Sequence, residues 1–122
     1  TQIDSFISGL ESPGDINEIS YSFSNSQVVP ESITNFLFSN AVVRSFKAVV
    51  SVSIDADSDL FEVFEINGIQ KGSEWDIAIS SSGDDTGIGF SITNAGQVQY
   101  TSASYAGFVS GTFKIRATTT SV

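Results

Sequence analysis

Asp55, Asp57 and Asp59 place three carboxylates at alternate positions within five residues, the spacing with which a calcium loop opens. Alternate carboxylates can converge on one hard cation, but a complete loop needs more than its opening. Leu60 stands where the sharp turn requires Gly, and Ile66 stands at the twelfth position in place of a bidentate Glu. The stretch is therefore expected to be a solvated turn whose Asp side chains accept hydrogen bonds from nearby backbone N–H groups. No metal site is expected.

Paired carboxylates could also serve glycoside hydrolysis, and Asp84-Asp85 and the Glu62/Glu65 pair are the candidates. Glu62 and Glu65 are three apart, so on a strand they face opposite ways. The chain has no His and no Cys, which removes the commonest bases and thiol nucleophiles. No catalytic residue and no cofactor site is expected. For a bound ligand the aromatic candidates are Trp75, Tyr100, Tyr105 and Phe108. Trp75 alternates in phase with Ile77 and Ile79 and belongs to a core, whereas Tyr105 and Phe108 lie in an irregular stretch and are the expected ligand contacts.

The elements that must position these groups are strands. Ile19, Tyr21 and Phe23 alternate with serines over Glu18–Ser24, and Phe46, Ala48, Val50, Val52 and Ile54 alternate over Phe46–Ile54. Further strands are expected over Ile33–Phe38, Leu60–Ile66, Glu74–Ser80, Ile88–Thr93, Gln97–Thr101 and Thr112–Thr118, with a short edge strand at Gln27–Val29 before Pro30. After Asn67-Gly68 the chain is expected to turn through Lys71-Gly72-Ser73, and a polar loop is expected over Ser81–Gly87. Thr1–Leu10 carries Ile3, Phe6, Ile7 and Leu10 at helical spacing, cut short by Pro13-Gly14, and is expected to be a turn of helix or an arm. The whole is an all-β chain of about eight strands, an antiparallel β-sandwich of jelly-roll type rather than a closed barrel. Residues 1–122 form one domain, with residues 1–40 supplying either an attachment arm or the first strands.

Fourteen acidic against five basic side chains give a net charge of −9, which repels nucleic acid and anionic membranes. No apolar run reaches the ~18 residues of a membrane span. The first residues lack the basic start and apolar core of a signal peptide, and no disulfide framework is available without Cys.

Leu60–Ile66 is unusual in being apolar on both faces. Leu60, Phe64 and Ile66 lie on one side with Glu62, and Phe61 and Val63 on the other with Glu65. A strand apolar on both sides is either central under a cover or shared between subunits. A homotrimer is expected, with Leu60, Phe64 and Ile66 assigned to the subunit interface.

Several short stretches carry a family resemblance: Val43–Phe46, Val49–Asp55, Glu62–Phe64, Gly68–Gly72, Trp75-Asp76, Gly83–Gly87, Phe90–Thr93 and Gly96–Ser102. Together they resemble a β-domain of tailed-bacteriophage virion proteins, similar to the distal domains of fibre-like proteins, over about Val43–Thr120. The resemblance implies a non-enzymatic module in the virion, in contact with other virion proteins. As a fibre or spike tip it would bind a host surface glycan or receptor; as a capsid decoration protein it would grip the shell through Thr1–Asn40. A carbohydrate-binding module is the non-viral alternative.

Overall fold

Alternating apolar and polar residues become strands wherever every second side chain finds a facing layer. In the computed structural model, which describes residues 13–122, eight strands meet this condition. They are β1 (Ile16–Ser22), β2 (Glu31–Leu37), β3 (Val43–Asp55), β4 (Leu60–Gln70), β5 (Trp75–Gly83), β6 (Gly89–Ile92), β7 (Gln97–Thr101) and β8 (Ser110–Ser121). One sheet has the order β1-β8-β3-β4-β5 and the other β2-β7-β6, with every pairing antiparallel. The fold is an antiparallel β-sandwich.

First pairs with last and second with seventh, as in a jelly-roll winding, but β3-β4-β5 runs as a meander inside one sheet. Residues 56–59 and 71–74 are hairpin turns within one sheet, whereas residues 23–30, 38–42, 84–88 and 102–109 carry the chain from one sheet to the other.

The core lies between the sheets. Phe46, Ala48, Val50, Val52 and Ile54 of β3 and Phe113, Ile115 and Ala117 of β8 all point into it. Burying each large apolar side chain contributes about 1.5–3 kcal/mol. Two aromatic clusters close the ends. Phe23, Tyr100 and Phe113 pack at one, with Phe23 and Phe113 stacked at 4.5 Å; Phe38, Phe46 and Trp75 pack at the other, with Phe38 and Phe46 stacked at 4.0 Å. Trp75 is buried, as its phase implies, and donates its indole N–H to Asn40 Oδ1 at 2.8 Å. Ile79 also points inward yet is 43% exposed, because β5 is the edge strand of the five-stranded sheet and overhangs the three-stranded one.

Three local expectations give way, and β2 adds an irregularity. Gln27–Val29 is not a strand; the chain there is tied by backbone bonds to residues 102 and 103. β4 does not end at Ile66 but runs on through Asn67 and Gly68 to Gln70, and the ring of Phe46 lies so close that a Cβ on Gly68 would meet it at 2.2 Å. β5 runs on through Ser81 and Ser82 to Gly83, paired with β4. In β2, Ile33 and Phe36 are both buried although three apart, because Asn35 takes a left-handed φ of 68° and the register with β7 shifts there. The Gln97 amide donates to the Ile33 carbonyl at 2.9 Å and the Phe36 carbonyl at 3.1 Å, satisfying acceptors that the bulge leaves unpaired.

Of residues 1–40, β1 and β2 are integral strands of the two sheets. The arm or helical turn expected over Thr1–Leu10 lies outside the described residues.

Candidate functional site

Antiparallel winding gathers four connections at one end of the sandwich, where β1, β3, β5 and β7 finish: residues 23–30, 56–59, 84–88 and 102–109. β1 enters and β8 leaves at the opposite end. The four connections form one surface because residues 102–109 bond to each of the others, to 84–88 through the Tyr105 hydroxyl on the Thr86 carbonyl. Ser26 N–H donates to Ala103 O at 2.9 Å, Asp57 N–H to Ala106 O at 3.0 Å, and Tyr105 N–H to Asn25 Oδ1 at 2.9 Å.

Buried polar side chains lock the arrangement. Thr86 is buried and donates both its N–H, at 3.1 Å, and its hydroxyl, at 2.6 Å, to Glu62 Oε1. Ser102 is buried, accepts from Gln27 N–H at 2.9 Å and donates to the Ser24 carbonyl. Tyr100, fully buried, accepts from Ser24 N–H and donates to Glu31 Oε2, both at 2.9 Å. Among the described residues no buried side-chain polar atom is left without a partner. Thr86, Ser102, Asn25 and Gln97 went unread in the sequence. They are ordinary polar residues, and their partners lie 24 to 80 positions away, so no local pattern could reveal them.

The expected ligand contacts sit at this end, but half-buried. Tyr105 donates its hydroxyl to the Thr86 carbonyl at 2.6 Å and stacks on Phe108 at 6.0 Å, and Phe108 leans on Phe23 of the core. Burial pushes the Tyr105 phenol above its ordinary value; the Ala103 N–H opposes this, and the Glu62 and Asp85 charges add to it. Both rings brace the loops from beneath. The outermost apolar side chains at this end are Val28, 79% exposed, and Val109, 71% exposed.

The three aspartates of the β3–β4 turn do not converge. Asp59 Oδ1 accepts from Ala56 N–H at 3.3 Å, and the Asp57 carboxylate lies against Gly107, whose φ of 68° and missing Cβ admit it. Among the described residues no three acidic side chains form a group able to hold a metal ion. Asp84 Oδ2 accepts from Phe61 N–H at 2.9 Å and Asp85 Oδ1 from Gly87 N–H at 3.3 Å, so these two cap backbone instead of facing each other. Glu62 points inward to Thr86 while Glu65 points outward to Lys47 at 3.7 Å, as their spacing implies. The end is nonetheless strongly acidic. Asp55, Asp57, Asp59, Asp84 and Asp85 lie on or beside its loops, with Glu31 and Glu62 on the flanking strands, and none of the chain's five cations is in these loops.

The interface assignment is corrected. Phe64 and Ile66 are buried in the core of the single chain and Leu60 packs against it, because the three-stranded sheet covers that side of β4. Phe61, Val63 and Ile69 are the apolar residues of this strand that face outward.

No family model matches the chain, and no curated protein matches it in sequence. Among solved structures the fold is similar to part of the tailspike protein of Acinetobacter phage vB_ApiP_P1, with a TM-score of 0.58 and 14% identity over 87% of this chain. The match spans 22% of the tailspike's length. At this identity the likeness is one of fold: the same kind of sandwich occurs as one portion of a much longer spike chain.

Proposed function

We propose that the chain is a non-enzymatic display module of a bacteriophage particle, carried on the tail and used in host attachment. The polarity of the sandwich carries this reading. β1 enters and β8 leaves at one end, and four mutually bonded loops occupy the other, so a particle joined through either terminal strand would hold the loops outward. The fold shared with a portion of a phage tailspike supports it.

The charge of the exposed end narrows the kind of group it would meet. A surface with seven carboxylates and no cation in its loops repels phosphate and anionic glycans, and favours neutral or cationic groups. Val28 and Val109 would make the apolar contact. Capsid decoration through residues 1–40 is less well supported, since β1 and β2 take part in the two sheets.

The purified chain, added to susceptible cells before infection, is expected to lower phage adsorption, and gold-labelled antibody is expected to mark the tail in electron micrographs. Label spread over the capsid would transfer the chain to decoration. Retention on a polysaccharide column with no effect on adsorption would favour the carbohydrate-binding module.

A further inference from the structure

Among the described residues nothing covers the outer face of the five-stranded sheet, and it is not built like the rest of the surface. Phe61 is 58% exposed there, with Val63 beside it on β4 and Val49 diagonally across on β3. Small hydroxyl side chains flank this ridge: Ser51 and Ser53 on β3, Ser80 and Ser82 on β5. Large beside small leaves grooves. One of about 320 Å³ runs between Ser51, Ser53, Phe61, Val63 and Ser82, and one of about 230 Å³ between Val49, Ser51, Lys114 and Arg116.

Charge is distributed just as unevenly. Lys47, Lys114 and Arg116, three of the chain's five cations, project from the middle of this face alongside two carboxylates, Glu18 and Glu65. Glu65 lies 3.7 Å from Lys47, and Glu18 lies 3.5 Å from Arg116. Asp55 and Asp76 lie at its two ends, Asp76 2.8 Å from Lys71, so cations and carboxylates nearly balance and the face is close to neutral on a molecule of net charge −9.

We propose that this face is where a second copy of the same chain docks, with the Phe61–Val63–Val49 ridge of one copy seated in the serine-lined grooves of the other. Electrostatics selects the partner. Two copies approaching by their loop ends bring carboxylates against carboxylates, whereas approach by the outer sheet face brings nearly neutral surfaces together and keeps the acidic ends apart. The apolar ridge leaves water in the process, and the flanking serines cost little to cover because hydroxyls can bond across the contact. A sugar is the poorer fit. Phe61 is the only aromatic residue of this face among the described residues, and the Asp84 carboxylate beside it is already engaged by the Phe61 N–H. The inference is independent of the proposed role in attachment.

The test is the mass of the full chain by sedimentation velocity from nanomolar to micromolar concentration. An assembled species that dissociates on dilution is expected. Phe61→Glu should reduce it to the single-chain mass with its thermal unfolding retained, and Ser51→Arg, which fills the groove from the neighbouring strand and leaves the ridge residues themselves unchanged, should do the same. Val109→Glu at the loop end should leave the assembly intact. A single-chain mass for the unaltered protein throughout the range overturns the proposal. So does an assembly that survives both Phe61→Glu and Ser51→Arg, or one that Val109→Glu alone disrupts.

Discussion

The two faces of β4 have nearly the same composition and opposite fates. On the inner face Phe64 and Ile66 are buried beneath the three-stranded sheet, with the Phe64 ring set edge-on to Phe90 at 5.1 Å. On the outer face Phe61 and Val63 meet solvent, among serines and lysines. What separates them is which side the second sheet closes on, and that is decided by the connections that carry the chain across. An apolar residue on a strand therefore marks a contact to be made, while the topology decides whether the contact lies within one chain or between two.

The sharpest way to break this comparison is to truncate the same residue type on each side. Phe64→Ala is expected to cost about 3–5 kcal/mol, as removal of a buried ring from a packed core does. Phe61→Ala should leave the stability of the single chain within about 0.5 kcal/mol. Chemical denaturation of both variants checks this, and equal losses would mean that the faces are not distinct. A smaller effect comes from the close approach inside β4: Gly68→Ala forces a methyl into the Phe46 ring and should cost about 1–3 kcal/mol by overpacking, measured in the same way.

At the end opposite the loops, Asn40→Ala leaves the Trp75 indole N–H without its acceptor. A loss of about 1–3 kcal/mol is expected, together with altered Trp fluorescence. At the loop end the corresponding probe is pH. Burial first, then the charges of Tyr100 and Glu31, push the Tyr21 phenol up to about 12 from its ordinary 10.0. The folded chain then holds this proton more tightly than the unfolded one, so the contribution is fully present below pH 10 and is lost as pH rises toward about 12. Tyr21→Phe should flatten the alkaline part of a plot of melting temperature against pH.

The smallest effects belong to the outer face. Lys47→Ala and Glu65→Ala should each change single-chain stability by no more than about 1 kcal/mol, because their ion pair is solvent-exposed. A large loss in either, by thermal melting at low protein concentration, would show that the outer face stabilises the single chain.

Where strands are regular the sequence was legible. Phe46 to Ile54 and Phe113 to Ala117 are buried at every second position, because a pleated strand between two layers has no other way to place alternating side chains. Where a backbone feature resets the phase, legibility ended. Asn35 turns left-handed and puts Ile33 and Phe36 on one side, a shift that the residue types do not announce. Gly68, beyond the strand end expected at Ile66, is the gap that Phe46 fills, which requires knowing that β3 lies beside β4. For the candidate site, the sequence supplied the acidic loops and the irregular stretch holding Tyr105 and Phe108. It could not supply Thr86 beneath Glu62 or Asn25 beneath Tyr105.

The sequence by itself determined a strand-built, acidic chain without His or Cys, since composition and period-two alternation are local properties. Tertiary structure alone decided that β4 turns Phe64 inward and Phe61 outward, and that four loops distant in the chain form one end. Both depend on which strands pair and which side the second sheet covers, and those are contacts between residues far apart in the chain.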